Sequence, residues 1–319
     1  MTVELMIGND GTGYLPPSEE GITLDLERKG NPGKLVFNVV DTPELRFEEG
    51  DPVTFKVDNK NVFYGFVFTK GRKKDGKIKV TAYDQLRYLK NKDSYILINR
   101  TASAIIRMIA DDFQLRAGNI ADTGWAVPKV DADNKTLFDI ILSALDETLQ
   151  NTGRMYTLYD DFGSLQLRNI EDMKLDYMVD AETAEDYDYT SSIDSNTYNK
   201  IKLAFDNKDR GTREFFIAKD SSTMNKWGVL QYFEKIRSTR NGKAKADALL
   251  SLYNSVSRKL TISEAFGDIR VRGGSSIITK FDFKDIRLMN YMLVEKVQHN
   301  FKNEQHTMKL TLRGGEFVA

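Results

Sequence analysis

Apolar and polar residues alternate through much of the first ninety positions, the period of strands buried on one face. Ile22-Thr23-Leu24-Asp25-Leu26-Glu27 is one such stretch, and Lys34 to Val40 is another after the turn signal Asn31-Pro32-Gly33. Asp41-Thr42-Pro43 ends that second strand. Val53 to Val57 and Val62 to Phe68 flank Asp58-Asn59-Lys60-Asn61, which reads as a hairpin connection. A charged loop, Lys70 to Lys77, leads to a further strand, Ile78 to Tyr83. Short strands with turns at this spacing predict a sandwich or small barrel.

The middle of the chain changes period. A threonine or serine opening Thr101 to Ala110 supplies a helix cap, and Ile105, Ile106, Met108 and Ile109 then fall on one helical face. Lys135 to Leu145 reads as a second amphipathic helix. A hairpin follows, Arg154 to Tyr159 and Ser164 to Arg168, around the turn Asp160-Asp161-Phe162-Gly163. The last third returns to strands. Asn199 to Phe205 alternates, Leu260-Thr261-Ile262 and Ser276-Ile277-Ile278 are strand-like, and Met292 to Phe301 with Gln305 to Arg313 form a terminal pair. Asn241 to Ser255 reads as a helix with Ala244, Ala248, Leu249 and Leu252 on one face. The prediction is a β-rich α+β protein: a β domain over 1–95, an α+β insert over 96–170, an acidic connection over 171–194, and a second β domain with one helix over 195–319.

Charge narrows the function classes. Lysine plus arginine number 46 and aspartate plus glutamate 47, a formal charge of −1. Nucleic-acid binders carry a basic surplus, because phosphate neutralisation dominates their affinity, so DNA is not the expected partner. The chain has no cysteine, which removes disulfides, thiolate metal sites and cysteine nucleophiles. No run of 18 apolar residues is present, so no membrane span is expected. Met1 to Gly13, with Glu4 and Asp10 and no basic start, does not read as a secretion signal. Residues 171–194 hold Glu171, Asp172, Asp176, Asp180, Glu182, Glu185, Asp186, Asp188 and Asp194 against Lys174 alone. That segment is either a solvated connection or an acidic surface facing a pore or a basic partner.

Candidate chemistry is sparse. The two histidines are His299 and His306. Pairing Val297 with Met308, and Leu293 with Leu312, would set the imidazoles opposite each other, with Cβ atoms about 4.5–5.5 Å apart. Zinc sites want three or four protein ligands, so the pair reads as a surface feature and no metal is expected. Gly8 to Gly13 lacks the Lys-Ser/Thr of a phosphate loop, and Arg272-Gly273-Gly274-Ser275 lacks its strand–loop–helix setting; both read as turns. No Gly-x-Ser-x-Gly elbow or His-Glu-x-x-His motif occurs. The aromatic run Phe63 to Phe68 reads as sheet packing rather than a stacking platform, and Trp125 and Trp227, each beside a glycine, as core or interface walls. No catalytic residue and no cofactor is expected.

The stretch Gly65-Phe66-Val67-Phe68, a charged loop, and Lys79-Val80-Thr81-Ala82-Tyr83-Asp84-Gln85-Leu86-Arg87-Tyr88-Leu89-Lys90-Asn91 resembles the XkdQ-like hub proteins of PBSX-type phage tails. So do Thr101 to Asp112 and the terminal set Asp285-Ile286, Met292 to Val297, His299, His306 and Met308-Lys309-Leu310. In physical terms Asp84 caps a short helix whose Leu86 and Leu89 pack back onto the barrel. The resemblance implies a baseplate hub like those of contractile phages, type VI particles and R-type bacteriocins. It implies two tube-like antiparallel β-barrels per chain, and a homotrimer that imitates a six-fold ring. The implied partners are the tail tube protein, the spike protein, a LysM-type tail protein and a tape measure protein. Assembly in the bacterial cytoplasm and release by lysis within a particle follow from it. The competing readings are a peptidoglycan- or carbohydrate-binding tail module, with the insert gripping glycan, and a hub-associated cell-wall hydrolase.

Overall fold

A computed structural model describes residues 1–9, 11–16, 21–72, 74–194, 196–207, 211–236, 242–282 and 287–314. Asp10, Ser195, Asn241, Asp285, Ile286 and 315–319, which carried parts of the sequence reading, lie outside them. The first half supplies β1 (Val3–Asn9), β2 (Thr12–Tyr14), β3 (Ile22–Glu27), β4 (Lys34–Val40), β5 (Pro52–Val57), β6 (Lys60–Arg72) and β7 (Lys77–Tyr83). A 3-10 helix, Gln85–Lys90, opens the insert: β8 (Lys92–Thr101), α1 (Ala102–Asp112), β9 (Ala117–Ile120), β10 (Ala126–Thr136), α2 (Leu137–Thr152), β11 (Tyr156–Asp160) and β12 (Leu165–Asn169). Then come β13 (Lys174–Asp180) and β14 (Tyr187–Ser192). A small unit follows: β15 (Lys200–Asn207), β16 (Thr212–Lys219), α3 (Ser221–Trp227), β17 (Gln231–Lys235) and α4 (Gly242–Tyr253). Finally β18 (Ser257–Phe266), β19 (Ser276–Asp282), β20 (Arg287–Lys302) and β21 (Gln305–Gly314) complete the chain.

One 13-stranded sheet unites both halves, in the order β14-β18-β21-β20-β3-β4-β7-β6-β5-β1-β2, with β13 and β19 attached beside β20. Most pairs are antiparallel, but β13 joins β19 in parallel, as β9 joins β12 and β17 joins β15. The path does not close on itself among the described residues. Alternation does what it predicts: Leu35, Phe37 and Val39 of β4, and Val53, Phe55 and Val57 of β5, point into one apolar cluster. A second cluster fills the other half around Leu260, Ile262, Val294, Val297 and Leu310. The insert and the small unit have clusters of their own.

Thr101 and Asp84 cap as the sequence predicts, and Thr136, which the sequence reading did not single out, caps as well. The Thr101 hydroxyl accepts from the Ala104 amide at 3.2 Å, and the Thr136 hydroxyl from the Asp139 amide at 3.1 Å, fixing the starts of α1 and α2. Asp84 caps the 3-10 helix, accepting from the Leu86 amide at 3.0 Å. Leu86 and Leu89, however, do not pack back onto the barrel half. They join α1 and α2 in the insert cluster, so this helix anchors the insert instead. The helix near 241–255 also turns differently from expectation. Gly242, Ala246 and Leu249 of α4 are buried while Ala244 and Ala248 are exposed, and the half-buried Tyr253 meets Tyr198 edge-on and stacks on Tyr232. The acidic stretch 171–194 is more than a connection. It contributes β13 and β14 to the main sheet, since Val179 and Ala184 supply it with core contacts.

The seam between the halves is β20. Its first part pairs with β19 and its second with β3, while β21 runs along its other edge. The register against β21 shifts between Val294 and Lys296, leaving Glu295 as an extra residue at a bulge where the strand changes partner. Arg28, just past β3, answers it. Its Nε lies 2.8 Å from Glu295 Oε2 and its terminal nitrogen 2.9 Å from Oε1, a bidentate pair with the arginine side chain 3% exposed. Replacing Glu295 by Ala would strand that buried guanidinium. Denaturant unfolding should show Glu295→Ala destabilised by about 3 kcal/mol, whereas removing one partner of a buried pair commonly costs 3–5 kcal/mol. Arg287→Ala, which breaks an ion pair whose arginine is 87% exposed, should be nearly neutral.

Candidate assembly surfaces and the buried polar junction

Three parts of the chain meet at the Arg28–Glu295 pair. The insert comes from one side: Thr157 Oγ1 donates to the Arg28 carbonyl at 3.3 Å, and Met155 Sδ lies 3.8 Å from the guanidinium. The loop before β19 comes from the other. Gly274 donates its amide to the Val294 carbonyl at 2.8 Å, and a Cβ on Gly273 would stand 2.3 Å from the Arg28 amide nitrogen. The Gly273-Gly274 turn expected from sequence is therefore a point of close backbone approach, which only a residue without a side chain permits. Arg272 extends the junction, donating to the Asp160 carbonyl at 3.0 Å with its guanidinium 4.4 Å from the Tyr159 ring centre.

Asp84 and Asp160 lie behind it. Asp84 accepts from the Gly33 amide at 2.8 Å, and Asp160 from Gln85 Nε2 at 2.8 Å and the Gly163 amide at 2.7 Å. Burial, and the Asp160 carboxylate nearby, push Asp84 well above its ordinary value; burial pushes Asp160 up to about 6. Gln85 also bridges to the Arg116 backbone, accepting from its amide at 3.0 Å. These groups tie the end of β7 to the insert. Each of these hydrogen bonds joins one element to another, so the arrangement positions them. The aromatic strand does likewise: Phe63 is in the core, while Tyr64, Phe66 and Phe68 pack edge-on or tilted against Phe162, Tyr83 and Tyr88. Trp125 packs against the insert cluster and Trp227 ends α3.

The histidines meet, but not in the expected register. Asn303 and Glu304 both have positive φ, 52° and 57°, and form a two-residue turn closed by Lys302 and Gln305. That turn pairs Val297 with Leu310, two residues from the predicted register, and beyond the bulge Val294 with Leu312, one residue from it. His299 therefore faces Met308, and His306 faces Phe301, with ring centres 4.3 Å apart in the latter pair. The imidazoles still touch on the diagonal. His299 Nε2 lies 2.9 Å from the Val271 carbonyl and must donate to it, so its Nδ1 accepts from His306 Nε2 at 2.9 Å. Both nitrogens of His299 are thereby engaged with protein, which leaves it no lone pair for an ion. No group of three or more metal-ligating side chains forms among the described residues.

Burial depresses both imidazoles, His299 to about 3 and His306 to about 4. In the unfolded chain they titrate near 6.5. A neutral pair in the fold thus stabilises above that value, and its contribution is lost as pH falls from about 6.5 toward 4. Asp84 and Asp160, held above their ordinary values, oppose this over part of the same window. Stability measured by denaturant between about pH 7 and pH 4.5 should therefore fall less steeply in His299→Gln/His306→Gln than in the parent. Equal slopes would contradict the buried neutral pair.

The exposed faces are the remaining candidates. Among the described residues the outer edge of the main sheet is β14 at one end and β2 at the other. Asp188 of β14 and Asp186 just before it are exposed, while Tyr187 packs against Phe281 at 5.1 Å between ring centres. No helix is long and apolar enough to cross a membrane among the described residues. Comparison with known proteins matches this architecture. The YQBQ-like family profile covers residues 22–313. The phage-like element PBSX protein XkdQ of Bacillus subtilis (strain 168) is 34% identical over 97% of this chain and 96% of its own. Among solved structures, a tail protein from Neisseria meningitidis MC58 superposes with TM-score 0.71 at 11% identity, covering 99% of this chain and 98% of that one. The E. coli c3393 protein, described as a type VI secretion component similar to T4 tail proteins gp27 and gp5, gives TM-score 0.57 at 10% identity over 98% of this chain and 78% of its own. A profile match across both β halves and the insert, joined to a PBSX relative similar over nearly its full length, gives one assignment: the chain belongs to the YQBQ-like family.

Proposed function

We propose that this protein is the structural hub of a contractile phage-type tail, joining a six-fold tail tube to a three-fold spike. The observation that carries the reading is the seam at β20: two β halves held as one rigid sheet within a single chain. Three copies of such a chain present six β units, so one face of the ring can meet a hexamer while the whole keeps three-fold symmetry. The open sheet ends suit this, since an unpaired strand edge in solution is a site for association that assembly would cover. The relation to XkdQ and the fold shared with a phage tail protein and a type VI component support the same reading.

Within it the units are 1–95 and 195–319 as two tube-like barrels, 96–170 as the insert, and 171–194 as the acidic segment between them. The partners are further copies of the chain, the tail tube and spike proteins, a LysM-type tail protein and a tape measure protein. The role is structural rather than catalytic, with assembly in the bacterial cytoplasm and release in a particle. Interfaces of this obligate kind bury upward of ~2,000 Å². Native mass measurement of the chain mixed with its spike protein should give a complex containing three chains. A persistent monomer in that mixture would contradict the hub, and clearing of purified cell wall by the chain alone would favour the hydrolase reading instead.

A further inference from the structure

Among the described residues the small sheet β16-β15-β17 is covered on one face only. Ala246 and Leu249 of α4 pack against Ile201, Leu203 and Ala218, and the opposite face is open. The register brings Lys202 between Ile217 and Phe233, and Ala204 opposite Phe215. Phe215, Ile217 and Phe233 are 46%, 44% and 51% exposed, an apolar cluster at the centre of a sheet face. Lys202 Nζ sits 4.3 Å from the Phe215 ring centre. Lys200, opposite Lys219, continues the row. Among the described residues these three lysines make no ion pair, whereas Arg213 and Lys235 on the same face share Asp206.

The reciprocal surface lies on the same chain. Glu185, Asp186 and Asp188 run into the edge strand β14, and Glu264 of β18 lies beside Glu185. A side-chain hydrogen bond to Glu264, and then its charge, push Glu185 up, so the two carboxyls lie in direct contact. No described lysine or arginine lies within ion-pair distance of these four carboxylates. An apolar face with a row of lysines and an edge of carboxylates are complementary, and among the described residues no ion pair joins them within one chain.

We propose that the two surfaces bind each other between copies: the Phe215/Ile217/Phe233 face of one chain, with its lysines, docks on the acidic β14 edge of the next. This rests on the ring reading above and names its contact. The interface is head-to-tail, because two different patches of one chain meet, so it either closes a ring or runs on as a filament. The lysines steer and register the encounter, and the three apolar side chains are what docking removes from water.

The test uses the full chain. Sedimentation equilibrium at low salt should show self-association that Lys200→Glu/Lys202→Glu/Lys219→Glu weakens at least tenfold, and that Glu185→Lys/Asp186→Lys/Asp188→Lys weakens similarly. Combining the six substitutions in one chain restores complementarity and should recover association, an outcome that misfolding could not produce. Phe215→Ser/Phe233→Ser should also weaken it, with an unchanged far-ultraviolet spectrum. A parent chain that stays monomeric at about 100 µM, or reversals without effect on association, would overturn this contact. Image classes of the chain with spike protein score the ring separately: rings that persist in both reversal variants would leave the hub standing and remove only this interface.

Discussion

The fold depends on one strand changing partners under a buried ion pair. β20 is 16 residues long and serves two sheets' worth of neighbours, β19 early and β3 late, with Glu295 displaced at the point of change. A bulge there would leave a carboxylate against backbone and a guanidinium in the core unless each met the other. The pair's net worth over apolar substitutes is small by general experience, but either charge without its partner is costly. The pair thus acts less as glue than as a register lock. It lets the two halves share a strand at a single alignment, because sliding β3 along β20 would part the two charges.

Everything else is hung on that lock. The insert reaches it through Met155 and Thr157, and the loop before β19 reaches it through the Gly273 close approach. The Asp84–Gln85–Asp160 network then fixes the insert to the end of β7. In the proposed hub, halves held at one alignment would suit a part placed between tube and spike. The buried polar network supplies that rigidity at a cost in desolvation, visible in the raised carboxylates.

Most strands of the first half were legible because each alternates over one buried face, and the start of α1 was legible because a threonine or serine there can bond the first free amides, as Thr101 does; the Thr136 cap went unread. Other features were hidden for definite reasons. β8 and β10 form a two-stranded ribbon whose Ile96 and Ile98 stay about 70% exposed, so alternation there does not report burial in the usual sense. The acidic composition of 171–194 masked two strands, since β14 is an edge and needs apolar residues on one side only. The hairpin register turned on positive φ at Glu304, a residue with no intrinsic preference for it, so pattern alone placed the histidines two residues out. The junction had no local signal at all: Arg28 and Glu295 are 267 residues apart.

The functional account stands on a chain that folds like phage tail proteins, belongs to the YQBQ-like family, and carries two β halves locked as one. Its central claim is geometrical, and imaging reads it directly. Cryo-electron microscopy of the chain bound to its spike and capped by tail tube should show three chains around the axis, with six β lobes apposed to the six tube subunits. A density with one chain lying off the axis, or six chains each giving a single lobe, would contradict it.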